Sequence, residues 1–287
     1  MDRQILDLYD EYTHARLARR VFLERLATLA GGMSAALALV PLLQANVAAA
    51  AQVAEDDARL QSRRVTLGPD AEGLRGYLAA PRAGKKWPAV LVIHENRGLN
   101  PHIEDVTRRL ALAGYLALAL DFLSALGGTP PDEDQAREMI GKLDPEQVLR
   151  DATTATAWLR SSKESTHRVG AVGFCWGGGL VGRLATADPQ LDAAVVFYGL
   201  IPPLVDVPKI RAALLLHYAG LDSRIDADVP AFRQALDDAH VRYELHMYEN
   251  VDHAFHNDTS AARYNAPAAA LAWQRTLDFF AHTLKRA

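Results

Sequence analysis

The sequence predicts a doubly wound α/β fold, a mostly parallel sheet with helices on both faces. Two observations carry this. From about residue 60, apolar runs short enough for strands alternate with longer amphipathic stretches. The reactive side chains gather just after those runs, where open parallel sheets bind ligands beyond the carboxyl ends of their strands. At 287 residues the chain can bury one sizeable core, so one main domain is expected. With 49% hydrophobic and 23% charged residues it is near the globular average, which excludes general disorder and a multi-span membrane protein. A net charge of -4 leaves no basic footprint for nucleic acid, and no nucleic-acid partner is expected. Cys175 is the only cysteine, so the chain cannot form an internal disulfide or a cysteine metal cluster.

The first 51 residues differ in kind. Ala18-Arg19-Arg20-Val21-Phe22-Leu23-Glu24 precedes an apolar stretch from about Leu26 to Leu43 and then the alanines Ala48 to Ala51. That order resembles a twin-arginine export signal, which implies a translocase partner and a periplasmic or otherwise exported protein. The apolar stretch barely reaches the ~20 residues needed to span a bilayer, so no stable membrane anchor is expected. The alternative is an amphipathic N-terminal helix, built on Ile5, Leu6, Leu8 and Tyr9, that is retained in the cytoplasm and packs on the domain or on a second subunit. The polar, acidic segment 52–59 reads as a linker, and 60–287 as the main folded domain.

Arg64 to Leu67 and Leu74 to Ala79 read as an opening hairpin, with a turn at Gly68-Pro69-Asp70. Strands are expected at Ala89 to His94, Tyr115 to Leu120, Val169 to Phe174, Ala193 to Tyr198, Ala212 to His217 and Tyr243 to Tyr248. Helices are expected at Ile103 to Ala113, Pro145 to Ser161, Gly178 to Ala187, Val229 to Ala239 and Ala266 to Leu284. Pro145 suits a first helical turn and Gly114 a helix end.

The third of those strands runs into Gly173-Phe174-Cys175-Trp176-Gly177, a G-x-C-x-G stretch. This is the pattern of a nucleophile elbow with sulfur in place of serine oxygen, in which small neighbours permit an uncommon backbone conformation. A position at a helix N-terminus is expected to lower the thiol pKa, because the helix dipole favours thiolate. The bland alternative is a small buried hydrophobe. Asp222 follows the strand ending at His217, and His253 follows the strand ending at Tyr248. The order Cys, Asp, His is that of α/β-hydrolase triads. In that arrangement His253 accepts the thiol proton and Asp222 fixes its tautomer. Taken singly, Asp222 reads equally as a turn residue and His253 as a polar loop residue. The loop His94-Glu95-Asn96-Arg97-Gly98-Leu99 follows the first central strand, and the N–H groups of Asn96 and Trp176 are the candidate oxyanion donors.

His-Glu-Asn-Arg-Gly-Leu, Gly-Phe-Cys-Trp-Gly-Gly, Gly-Leu-Asp and Asp-His-Ala-Phe together resemble the dienelactone hydrolase family over residues 60 to 287. The resemblance implies an α/β-hydrolase fold and a cysteine hydrolase that opens lactones or activated esters through a covalent acyl-enzyme, without a cofactor. It also implies that Glu95 holds the resting thiol protonated and moves when substrate binds. The sequence departs from the family where that family uses two arginines to grip a substrate carboxylate. One position is Asn257 and the other falls near Glu133 to Arg137, with Glu133 aligned directly. Arg97 and Arg137 are candidates for an anion grip from new directions, and Phe122, Trp176 and Tyr198 for an apolar pocket wall. Neutral lactones or esters are therefore expected to be turned over at least as well as carboxylated ones.

His246, His253 and His256 have no spacing that calls for a metal, and none is expected. The competing readings are a catalytically silent scaffold that binds a small molecule, and a thiol redox protein, which the lack of a resolving cysteine disfavours.

Overall fold

The computed structural model describes residues 1–14, 17–43, 51–68 and 73–285. Three N-terminal helices, α1 (Arg3–His14), α2 (Arg19–Ala30) and α3 (Met33–Leu43), precede an eight-stranded sheet. The hairpin pairs β1 (Leu60–Thr66) with β2 (Arg75–Pro81), antiparallel, closed by the Leu67 N–H on the Leu74 carbonyl at 2.9 Å. The expected turn lies only partly in view, since residues 69–72 are outside the described residues. There follow β3 (Trp87–Ile93), α4 (Pro101–Leu112), β4 (Leu116–Asp121), α5 (Glu133–Ile140), α6 (Pro145–Ser161), β5 (Ser165–Phe174), α7 (Trp176–Ala187) and β6 (Ala193–Phe197). The chain finishes with β7 (Ala213–Ala219), α8 (Ser223–Asp226), α9 (Val229–Asp238), β8 (Tyr243–Tyr248) and α10 (Ala266–Leu284). Spatial order is β1-β2-β4-β3-β5-β6-β7-β8, and every pairing from β4 to β8 is parallel.

The pleat explains why both faces of the sheet are apolar. Along β3, Ala89, Leu91 and Ile93 point to one side, with α6, α7 and α9, while Val90 and Val92 point to the other, with α4 and α10. All five are fully buried, and each valine, leucine or isoleucine so covered contributes about 1.5–3 kcal/mol. Helix starts are capped as their sequences demand. Asn100 accepts from the Ile103 N–H at 3.1 Å ahead of Pro101, and Asp144 from the Glu146 N–H at 3.1 Å ahead of Pro145. The short helix α5 has no counterpart among the sequence expectations; Asp132 caps it by accepting from the Gln135 N–H at 2.8 Å.

The N-terminal helices share a small apolar cluster that includes Tyr9, Tyr12, Phe22, Leu26 and Leu43. Gly31, at φ 79°, ends α2, and α3 leaves at 110° to it. Among the described residues no single helix is long and apolar enough to cross a membrane; the bent pair α2 and α3 passes that test only when taken together. Ala48 to Ala50 lie outside the described residues. The start of segment 52–59 is docked rather than free. Val53 is buried, its N–H donates to Asp105 at 2.8 Å, and its carbonyl accepts from Arg108 at 3.0 Å.

Candidate active site

Cys175 sits between β5 and α7 at φ 56°, ψ −116°, a backbone state that costs about 1–3 kcal/mol and persists only where surrounding structure enforces it. The enforcement is visible. The Cys175 N–H donates to the Phe197 carbonyl at 3.0 Å. A Cβ on Gly173 would lie 2.1 Å from the Gly177 carbonyl oxygen, and one on Gly177 would lie 2.4 Å from the carbonyl oxygens of Ile93 and His94. Strand and helix therefore touch through bare backbone, as the G-x-C-x-G pattern requires.

Asp222 and His253 leave the ends of β7 and β8, and the Nδ1–H of His253 donates to Asp222 Oδ2 at 2.5 Å. Both are buried. Burial raises the Asp222 carboxyl against the opposing pull of Arg224, and burial also disfavours the imidazolium form of His253. With its proton on Nδ1, His253 presents the Nε2 lone pair to the sulfur side, and Nε2 has no hydrogen-bond partner.

The thiol is perturbed in the direction opposite to the one its helix position predicts. Burial, reinforced by the Glu95 carboxylate, pushes Cys175 up to about 12, outweighing the Trp176 N–H and the more distant Arg224 and Arg263. The helix end acts as expected, but desolvation is larger. Glu95 is itself buried; its Oε2 accepts from Asn257 Nδ2 at 2.7 Å, and its Oε1 has no partner.

A residue that the sequence reading did not single out completes the centre. His14, last in α1, lies with Nε2 3.2 Å from Cys175 Sγ, and its ring meets His253 edge-on at 4.4 Å. Its Nδ1 faces the Asp10 carbonyl at 2.9 Å. A carbonyl can only accept, so Nδ1 carries the proton, Nε2 keeps a lone pair, and the Cys175 S–H donates to it. The only local sign of His14 was its place at the end of an amphipathic helix.

A cavity of about 810 Å³ opens from the sulfur and is bordered by Asn96, Arg137, Trp176, Tyr198, Leu200 and Ile201 as well as His14 and His253. Asn96 also ties α1 down, its Nδ2 donating to the Thr13 carbonyl at 2.6 Å. Arg137 donates to the Tyr12 carbonyl at 3.0 Å and lies over the Tyr12 ring at 4.3 Å, so it faces α1 as much as the cavity. Three residues expected to contact substrate do not border this cavity. Phe122 is buried behind Trp176, ring to ring at 5.5 Å. Arg97 is consumed by Glu133 and the Tyr9 hydroxyl, both at 2.5 Å. Asn257 faces Glu95, its Nδ2 donating to that carboxylate at 2.7 Å. Arg263, also not foreseen, is buried and donates to Asp10 Oδ1 at 2.7 Å.

Comparisons with known proteins follow the same division of the chain. Residues 74–284 match the Dienelactone hydrolase family, and residues 1–31 match a separate family described as YqhI-like. A protein assigned as a carboxymethylenebutenolidase in Saccharolobus solfataricus is 34% identical over 261 residues, covering 78% of this chain and 99% of its own. Another so assigned in Methylorubrum extorquens is 32% identical over 281 residues, covering 92% of this chain and 94% of its own. That span has to reach into the N-terminal helices. A crystal structure of a protein assigned as a dienelactone hydrolase in Klebsiella pneumoniae superposes with a TM-score of 0.70 at 32% identity, covering 77% of this chain and 98% of the other.

Proposed function

The chain belongs to the dienelactone hydrolase family and is a hydrolase of lactones or carboxylic esters, and on that premise we propose that it works through a covalent acyl-enzyme on Cys175. The observation that carries this reading is the strained, glycine-enforced placement of Cys175 beside the His253–Asp222 pair. As the substrate carbonyl enters the cavity, the thiol proton turns from His14 Nε2 to His253 Nε2, which takes it as the sulfur attacks carbon. The carbonyl oxygen becomes an alkoxide between the N–H groups of Asn96 and Trp176; the latter, first in α7, has no intrahelical acceptor. Collapse breaks the C–O bond and His253 returns its proton to the leaving oxygen. His253 then deprotonates a water that attacks the thioester, and the released thiolate is reprotonated.

Glu95 opposes ionisation of the thiol until substrate displaces its carboxylate, which protects a buried sulfur from stray electrophiles. The buried arginines Arg97 and Arg263 are already paired with Glu133, Tyr9 and Asp10. A neutral lactone or ester therefore fits the site at least as well as a carboxylated one. The same contacts support the retained form of the N-terminus, with α1 as part of the working enzyme, over its removal as an export signal. Cys175→Ala is expected to lower turnover of an activated aryl ester about 10⁴-fold while leaving melting nearly unchanged. Mass spectrometry of the wild type during the burst should show an acyl adduct on Cys175. A variant that keeps more than about a hundredth of the rate would rule out the sulfur as nucleophile.

A further inference from the structure

We propose that Cys175 Sγ, His14 Nε2 and His253 Nε2 form a binding site for one borderline-soft divalent cation of the zinc type, and that the bound ion silences the thiol and locks α1 in place. The three donor atoms lie within 4.8 Å of one another. A tetrahedral site with Zn–S near 2.3 Å and Zn–N near 2.0–2.1 Å places such atoms roughly 3.3–3.6 Å apart, so the donors need to draw in by only about an ångström. The 3.2 Å separation of His14 Nε2 and Cys175 Sγ is already slightly shorter than that, so this pair needs no closing movement.

The donors are also oriented. His253 is 2% exposed, and its Nε2 has no hydrogen-bond partner. Asp222 holds the Nδ1 proton of His253 and the Asp10 carbonyl holds that of His14, so both lone pairs converge on the sulfur. This is the outer-shell arrangement that fixes tautomer and ring direction in histidine metal sites. Two imidazoles and one thiolate with no oxygen donor favour zinc, cobalt or copper over magnesium or calcium. Three protein ligands leave a fourth position toward the cavity, open to water.

The binding step balances simply. The S–H bond breaks, a sulfur–metal bond forms, and the thiol proton leaves to solvent; both imidazoles donate neutral lone pairs. One proton is therefore released per ion. The ion occupies the electron pair of the nucleophile and the lone pair of the base together, so hydrolysis stops until a chelator removes it. Because one ligand comes from α1 and two from the catalytic domain, the ion also pins the N-terminal layer to the sheet. Binding is read without substrate, so its failure is separable from failure of the acyl-enzyme mechanism.

Full-length protein stripped with a chelator would be titrated with cobalt(II). The expected result is a thiolate-to-cobalt charge-transfer band saturating at one ion per chain, with one proton released, reversed by zinc(II). Zinc should protect Cys175 from iodoacetamide and abolish esterase activity, which returns on chelation. Cys175→Ser should lose the charge-transfer band. His14→Ala should bind at least about a hundredfold more weakly, since even an outer-shell partner is worth ten- to hundredfold. His14→Gln, with its fold checked by circular dichroism, serves if the alanine variant does not fold. Absence of the band in the wild type, or full affinity in a folded His14 variant, overturns the site. Stoichiometric zinc with undiminished hydrolysis overturns the silencing.

Discussion

Two regions meet at Cys175 and are held by different forces. The elbow between β5 and α7 is fixed by shape, with backbone against backbone, apolar cores on both sides of the sheet, and glycines where nothing larger fits. Helix α1 is fixed largely by polar pairs, namely Tyr9 with Arg97, Asp10 with Arg263, Tyr12 with Asp134, Thr13 with Asn96 and His14 with Cys175. Shape complementarity of the first kind tolerates almost no change in volume. Polar pairing of the second kind is weaker per contact, because each group exchanges a protein partner for water at a net cost of about 1 kcal/mol, or about 1.5–3 kcal/mol where a partner is charged. Cys175 is thus held by shape, and the helix above it by polar pairs.

The largest effect is expected where the elbow is tightest. Gly173→Ala should destabilise the protein by about 3 kcal/mol, measured by denaturant unfolding, because the new methyl meets the Gly177 backbone rather than a movable side chain. A near-neutral variant would mean that the elbow is as adaptable as the helix above it.

Glu95→Gln tests the electrostatics between the two regions. Removing a carboxylate that raises the Cys175 pKa must lower it, so alkylation by iodoacetamide should begin at lower pH than in the wild type. Burial, the larger cause, remains, so the thiol should stay above its ordinary value. Coincident pH–rate profiles would make Glu95 a bystander. The sign for His253 is opposite: its burial favours the neutral form, so an activity that uses this imidazole as base should hold at neutral pH and fall only under acid, as a pH–rate profile would show.

The smallest effect concerns Arg19 and Arg20, which are half or more exposed and make ion pairs with Asp134 and Glu24. Changing both to lysine should move stability by less than about 1 kcal/mol. If α1 is part of the working enzyme, both versions should appear in the same cell fraction with residues 1–14 intact by mass spectrometry. A mature chain without α1, or a change of compartment in the lysine variant alone, would make residues 1–51 an export signal.

Much of this was legible in the residue pattern because burial leaves a periodic trace. Strand β8 and helices α6 and α10 have the ends that periodicity and capping predict, and the other expected strands and helices differ by only a few residues. The glycines around Cys175 marked the elbow, and the positions of Asp222 and His253 after strand ends placed them at its mouth. Helix α5 was not legible, since an eight-residue segment with two buried side chains carries too short a period.

The sequence by itself determined the parallel sheet, the elbow at Cys175 and the order Cys, Asp, His along the strand ends, because alternation, glycine punctuation and strand-end position are local properties of the chain. Only the tertiary structure decided that His14 touches Cys175, that Arg97 and Arg263 are occupied from within, that Asn257 serves Glu95, and that the thiol is raised rather than lowered. Those outcomes depend on desolvation and on pairs far apart along the chain, 161 residues for His14 and Cys175. Neither leaves a mark on neighbouring residues.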